Sequence, residues 1–354
     1  MRMLISESES SKLISFDKAI KIFESTSLSN INSLSPYYTY LETIDCSENS
    51  KPLFWNFNNG NEILLYSFIL KKLPHEISTE KFLYDICGPY GYCCPVSNST
   101  REIFLDNAYD EFNKWALKNK IFVEFLKFHP LIPSILRKTW CKKNGSLYLN
   151  RKTVSIDLEK NILLNFRSRL RTYVRKLLRE KDFKLYDSEN PSLDKTFLFC
   201  EMYSSHMKLI NANDEYFFSK SKIEGYLKGS NSRLFVLYES GQAYASAIFQ
   251  EGKTNFIEYF LGCNINPRGK DKLMLIMLYL IAEFYKNKNY RILYLGGGRS
   301  TNENDSLLKF KMGIGNRYED YFIGSNIYNQ DYYDKLGSLK KYVNSKKILI
   351  YRDN

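Results

Sequence analysis

Histidine is scarce in this chain: His75, His129 and His206 are the three among 354 residues, and they stand far apart. Cysteine is present seven times, an odd number, with no Cys-x-x-Cys pair; the adjacent Cys93 and Cys94 cannot supply two corners of a tetrahedral site. These absences point away from a zinc site and from a disulfide framework, and toward a reduced cytoplasmic protein with no bound metal. No apolar run approaches the ~18 residues that a membrane span needs. The first residues, MRMLISESESSKLISFDK, lack the apolar centre of a signal peptide. A membrane span and secretion are therefore not expected, and a peripheral contact with the inner membrane surface stays open. Low-complexity tracts and short-period repeats are also missing.

What is present is an ordinary globular composition, 44% hydrophobic and 25% charged, with an unusual load of aromatics at 16%, including 28 Tyr. A chain of this length accommodates two domains. The net charge of +12 is unevenly placed: residues 1–150 carry +1 and residues 151–354 carry +11. A surplus confined to one part suits an anionic partner, such as a nucleotide, coenzyme A, an RNA or a phospholipid surface. A generally basic composition is the plainer alternative.

Hydrophobic periodicity outlines the elements. In the first part a short amphipathic helix is expected at 17–24, strands at 62–71 and 121–128, and a helix at 101–118. The polar stretch 139–150 reads as a joint, which sets domains at 1–150 and 151–354. The second part reads as a strand at 152–158, a long basic helix at 162–180 and a helix at 193–209. A hairpin is expected around Ser240-Gly241, then a strand at 255–262, a helix at 272–286 and a strand at 291–295. Strand, helices, hairpin, strand, helix, strand is the order of a GNAT core.

Four segments, in order, resemble the FemAB family and related GNAT transferases. They are Tyr84-Asp85 with Pro89-Tyr90-Gly91-Tyr92 and Pro95, and the stretch TVSIDL…FRSRLRTYVRKLLRE at 153–180. They continue with Leu295-Gly296-Gly297-Gly298, Asp305-Ser306-Leu307 and Phe310-Lys311-x-Gly313, and end at Ile350-Tyr351-Arg352. The resemblance spans roughly residues 80–354. Cys93-Cys94 stands where the family has two glycines, and Ile314 where it usually has Phe. The fold class implied is α/β (α+β): two tandem GNAT-like domains, each a mixed, mainly antiparallel sheet flanked by helices, with the transfer cleft in the second.

The resemblance implies a bacterial acyltransferase that moves an acyl group, acetyl above all, or an aminoacyl group. The acceptor would be an amine or hydroxyl of a cell-envelope glycan, polysaccharide or peptidoglycan precursor, an anionic small molecule or lipid-linked. Acyl-CoA or aminoacyl-tRNA would be the co-substrate, with no tightly bound cofactor. By the same resemblance Lys311, paired with Phe310, lies near the transferred group, and Tyr216 near the acceptor.

Read from the residues, Asp85, Tyr90 and Tyr92 can shape the acceptor side, and His129 is a candidate base. The turn Gly296-Gly297-Gly298 lets backbone N–H groups approach a ligand. Asp305 is better placed as a helix cap. Arg268-Gly269-Lys270, opening a helix, can meet a pyrophosphate, although the second glycine of a full coenzyme A loop is missing. Arg167, Arg171, Arg175 and Arg179 recur every four residues; Arg171 and Arg175 can take an anionic substrate, or the stripe is a solvated face. Two alternatives remain: a tRNA-dependent aminoacyltransferase of the FemABX type, in which tRNA is a partner, and a non-catalytic RNA-binding module. Nothing suggests DNA as a partner.

Overall fold

The computed structural model describes residues 11–44, 49–143, 145–229, 231–253, 255–266, 272–339 and 348–352. Along the chain run β1 (Ser11–Leu13), α1 (Phe16–Ser25), α2 (Pro36–Ile44), β2 (Ser50–Asn58), β3 (Ile63–Lys72), β4 (Tyr84–Cys87), β5 (Val96–Ser97), α3 (Glu102–Lys118), β6 (Ile121–Phe128) and α4 (Ser134–Trp140). There follow β7 (Gly145–Asp157), α5 (Ile162–Asn165), α6 (Ser168–Glu180), β8 (Phe183–Ser188), α7 (Leu193–Leu209), α8 (Lys220–Lys228), β9 (Ser232–Glu239), β10 (Gln242–Glu251), β11 (Phe256–Asn264), α9 (Leu273–Asn287), β12 (Ile292–Gly297), α10 (Ser306–Met312), β13 (Arg317–Ile327) and α11 (Gln330–Gly337). Contacts divide the chain into two units. One is Met1–Ser29, Leu34–Asn150 and Tyr321–Asn354; the other is Asn30–Ser33 and Arg151–Asp320. A single cut at residue 150 assigns the C-terminal stretch differently.

The first unit is organised by β3, whose run from Leu64 to Leu70 is buried on both faces and therefore sits mid-sheet. It pairs with β2 and β4, antiparallel in both cases. The β4–β6 pair is parallel and is bridged by α3. That helix buries Phe104, Leu105, Ala108, Tyr109, Phe112 and Ala116, the three-and-four spacing of one face. Trp55, Tyr66, Phe112 and Trp140 meet edge-on or tilted to fill the interior. Glu124 is fully buried among them; burial raises its pKa, and Trp140 Nε1 and Asn326 Nδ2 donate to it at 3.0 and 2.7 Å.

The second unit repeats the plan. Its sheet runs β7, β12, β11, β10, β9, β8 and is antiparallel except for β11 beside β12, which α9 bridges. The β9–β10 hairpin turns on Ser240 and Gly241, both at positive φ. Apolar on nearly every side, α9 is covered on nearly every side, with Leu275, Ile276, Met277, Ile281 and Ala282 fully buried. The fold class is that of two tandem GNAT-like domains with mixed, mainly antiparallel sheets.

Two expected elements take a different form. The basic helix is broken: Asn161 caps the four-residue α5, Phe166 turns its ring into the core in extended backbone, and Arg167 N donates to Gly313 O at 2.9 Å before α6 begins. Arg167 is thus a cap, and the stripe proper starts at Arg171. The polar stretch 139–150 is not a linker, because from Gly145 it is already the start of the 13-residue β7. Among the described residues no helix is long and apolar enough to cross a membrane.

Candidate functional site

In the second unit β11 and β12 pair in register through Phe256–Glu258 against Ile292–Tyr294. Beyond that point β11 continues to Asn264 on β10 alone, and β12 continues through Gly296 and Gly297 on β7 alone. The two parallel strands therefore part, and the sheet opens. The β12 side of the opening is the glycine turn. Gly296 has φ +74°, a left-handed conformation that costs a side-chain-bearing residue about 1 kcal/mol or more. A Cβ on Gly298 would stand 2.5 Å from Asp305 Oδ1, so only glycine lets that carboxylate close over the turn.

Asp305 is the N-cap of α10, as its place in the sequence suggests. Oδ1 accepts from Leu308 N at 2.9 Å, and Oδ2 from Arg299 N and Ser300 N at 3.2 and 3.3 Å. Burial would raise its pKa, but these backbone donors outweigh it and hold the group below the ordinary value. The cap fixes α10, and α10 carries Lys311 inward. The amine is 7% exposed; Nζ donates to Gly297 O at 2.8 Å and lies 5.7 Å from the Tyr259 ring centre on β11. Burial pushes its pKa down to about 7, Asp305 pulls the other way, and Arg151 adds to the lowering. Near neutrality a large share of Lys311 is an uncharged amine, able to accept a proton.

Beside the turn that holds this amine is Arg151, which no motif announced; Tyr216, named from the resemblance, and His206 both lie in the field of Arg299, the residue after the turn. Arg151, on β7, donates from Nη1 to Gly298 O at 2.7 Å. Tyr216, half-buried in a short 3-10 turn at Asp214–Tyr216, has its pKa raised by burial and then by Glu215, while Arg151 and Arg299 act in the opposite sense. His206, on α7, has Nδ1 3.2 Å from Asn264 N and 3.1 Å from Asn264 O, at the open end of β11. Its burial lowers its pKa, and the Arg299 charge lowers it further.

The structure thus sets Lys311 on the turn Gly296–Gly298 and Tyr216 in the field of Arg151 and Arg299, with Phe310 half-buried on the same short helix against the core. Ile314 is fully buried in that core. Arg171 is half-buried and Arg175 exposed on α6, whose other face buries Val174 and Leu177. The start of this helix is tied to Gly313, which follows α10, through Arg167 N, and mid-helix Tyr173 Oη accepts from Lys272 N at 3.3 Å. Arg268, Gly269 and Lys270 lie outside the described residues.

Asp85, Tyr90 and Tyr92 belong to the first unit. Asp85 is fully buried and accepts from Arg352 Nε at 2.7 Å. Tyr90 N donates to Glu42 Oε2 at 3.1 Å, and Tyr92 meets His129 edge-on at 4.5 Å. Cys93 and Cys94 are buried, and burial raises both thiols. Cys93 fills the space directly over Gly88, where a Cβ would fall 1.9 Å from its own.

The fold built around this opening is the FemAB-like, tandem GNAT type. Among solved structures the chain resembles FemX, with a TM-score of 0.68 and 13% identity over 92% of this chain and 99% of FemX. It also resembles the C-terminal domain of a putative lysylphosphatidylglycerol synthetase from Agrobacterium fabrum, with a TM-score of 0.58 and 13% identity over 91% and 94% of the two chains. A third is L-PGS from Bacillus licheniformis, with a TM-score of 0.57 and 11% identity over 89% and 92%. The sequence matches no family profile and no curated protein. At these identities the likeness is one of fold.

Proposed function

We propose that the second unit transfers an acyl or aminoacyl group to an amine or hydroxyl of an anionic cell-envelope precursor. The observation that carries this reading is Lys311, buried at the parting of β11 and β12 with its amine on Gly297 O. The acceptor nitrogen or oxygen attacks the carbonyl carbon of a thioester or ester, and the acceptor's proton passes to Lys311 Nζ. The bond from that carbon to the donor's sulfur or oxygen breaks, and the departing atom takes the proton back. N–H groups of the glycine turn are candidates to meet the oxyanion. Arg299 and Tyr216 supply a cation and a phenol for the anionic part of the acceptor. The name of one structural neighbour is that of a putative lysylphosphatidylglycerol synthetase, and a lipid-linked acceptor suits the +11 balance of residues 151–354.

The donor is an acyl-CoA or an aminoacyl-tRNA. The second is favoured by α6, which sets Arg169, Arg171, Arg175, Lys176 and Arg179 on 13 residues with Glu180 as the one acid. The deciding experiment offers the purified protein radiolabelled acetyl-CoA or aminoacyl-tRNA, with anionic phospholipid vesicles or a nucleotide-linked muropeptide as acceptor. Label should move with one donor and stop moving in Lys311→Met. Tight RNA binding with no transfer from either donor would favour the non-catalytic module instead. Reversing Arg171 and Arg175 to Glu is expected to raise KM for the anionic substrate about tenfold with kcat kept, as loss of charge-assisted contacts predicts. An unchanged KM would show the stripe to be a solvated face.

A further inference from the structure

Two basic side chains rest on consecutive carbonyls of one turn. Lys311 Nζ donates to Gly297 O at 2.8 Å, and Arg151 Nη1 donates to Gly298 O at 2.7 Å. The stem of Arg151 crosses the turn so closely that a Cβ on Gly297 would stand 2.9 Å from its Cδ. A side chain at Gly297 would have to push Arg151 aside, and as the chain stands the guanidinium and the amine hold adjacent carbonyls. A guanidinium is always charged, whereas a buried amine can shed its proton. A second positive charge at this spot is therefore disfavoured, and the amine is the group that yields.

We infer that Arg151 is a positioning residue that acts through Lys311, clamping the turn on which the amine rests and opposing a second positive charge there. The inference deepens the proposed reaction and rests on Lys311 as its proton carrier. Among the described residues four charged or titratable groups face Lys311. Asp305 on its own helix favours the ammonium but is held by backbone donors; Arg151 on β7 disfavours it; Tyr259 on β11 presents its ring; Tyr294 on β12 lies across Gly296. Lys309, on the same helix, is turned to Asn304 Oδ1 at 2.8 Å. Arg151 and Asp305 thus act on the amine with opposite sign.

The test titrates Lys311 directly, in full-length protein labelled with carbon-13 at lysine Cε. Its resonance is assigned by its loss in Lys311→Met. The wild-type midpoint is expected near 7, in line with the buried amine. Arg151→Met should move it up by about one pH unit, and Arg151→Lys should restore most of the low value. Asp305→Asn, which keeps a capping side chain, should move it down. Should Arg151→Met fail to fold, Arg151→Gln decides in its place, since it retains a donor for Gly298 O without the charge. A midpoint within about 0.2 of wild type in the folded, charge-free variant overturns the inference. The acid limb of the transfer rate should follow the same shifts. A shifted resonance in a protein that transfers no label from any donor would sink the proposed reaction and leave the Arg151–Lys311 coupling standing.

Discussion

Lys311→Met is expected to lower kcat for label transfer by a factor of about 10²–10⁴, the usual cost of removing a general base, with no loss of folded stability. The second half of that expectation separates a working lysine from a structural one. Nζ is held by a neutral carbonyl, and among the described residues no carboxylate lies within ion-pair distance of it. Asp305, the nearest acid in its field, is occupied by three backbone donors. Methionine keeps most of the apolar stem and removes a charge that the interior disfavours.

The sign with pH follows from the direction of the shift. In the folded chain Lys311 titrates near 7, and in the unfolded chain near its ordinary value of 10.5. Between those values the unfolded state binds more protons, so wild-type stability rises with pH through this window. The penalty is full below 7 and gone above 10.5. Melting curves should therefore show Lys311→Met more stable than wild type at pH 6, with the advantage shrinking toward pH 10. The rate of the wild type should rise as pH climbs through 7, as the amine loses its proton. Normal turnover in the folded variant would end the catalytic role. A large drop in Tm at pH 6 would make the lysine structural.

The central strands of the second unit were legible because each is a short apolar run bounded by turn chemistry, whereas the edge strand β8, FKLYDS, was not named because it has no buried residue to mark it. The Ser240-Gly241 hairpin and the strand ending in three glycines announce themselves in this way. Helix α6 was legible in face but not in start, since the break at Phe166 depends on the Gly313 carbonyl 146 residues downstream in the chain taking up Arg167 N. The start of β7 hid in polar residues because Tyr148 and Leu149 are exposed, which removes the alternation that marks a half-buried strand. Lys311 and the glycine turn could be named because both sit in one contiguous motif. Arg151 could not: it is one arginine in a basic stretch, and the carbonyl that gives it meaning is Gly298 O, 147 positions away. His206 is of the same kind, set by α7 against Asn264 at the end of β11 with no local pattern around it.

The ion pair between Asp85 and Arg352 gives the largest stability effect to be expected in the first unit. Asp85 is fully buried on β4, and its Oδ2 accepts from Arg352 Nε at 2.7 Å; Arg352 Nη2 also donates to Lys72 O at 2.8 Å. Burial raises the Asp85 pKa, and Arg352 is the main force opposing that rise. Arg352→Ala strands the carboxylate, which should cost about 3 kcal/mol near neutral pH. Losing one partner of a buried pair is worse than losing both, so Arg352→Ala combined with Asp85→Asn should recover part of the loss. The deficit should also depend on pH. With its folded pKa above the unfolded one, Asp85 is happiest protonated, so the single variant should be closest to wild type in acid. The gap should then open as pH rises through the raised value of the wild type and be complete above the still higher value of the variant. Urea unfolding of the four proteins at pH 4.5 and 7.5 measures this. A single variant as stable as wild type at pH 7.5 would show that Arg352 does not compensate Asp85. Turnover of the folded Asp85→Asn protein separates the two roles open to this carboxylate: kept activity leaves it an anchor for the Ile350–Arg352 turn, and lost activity with stability intact puts it on the substrate.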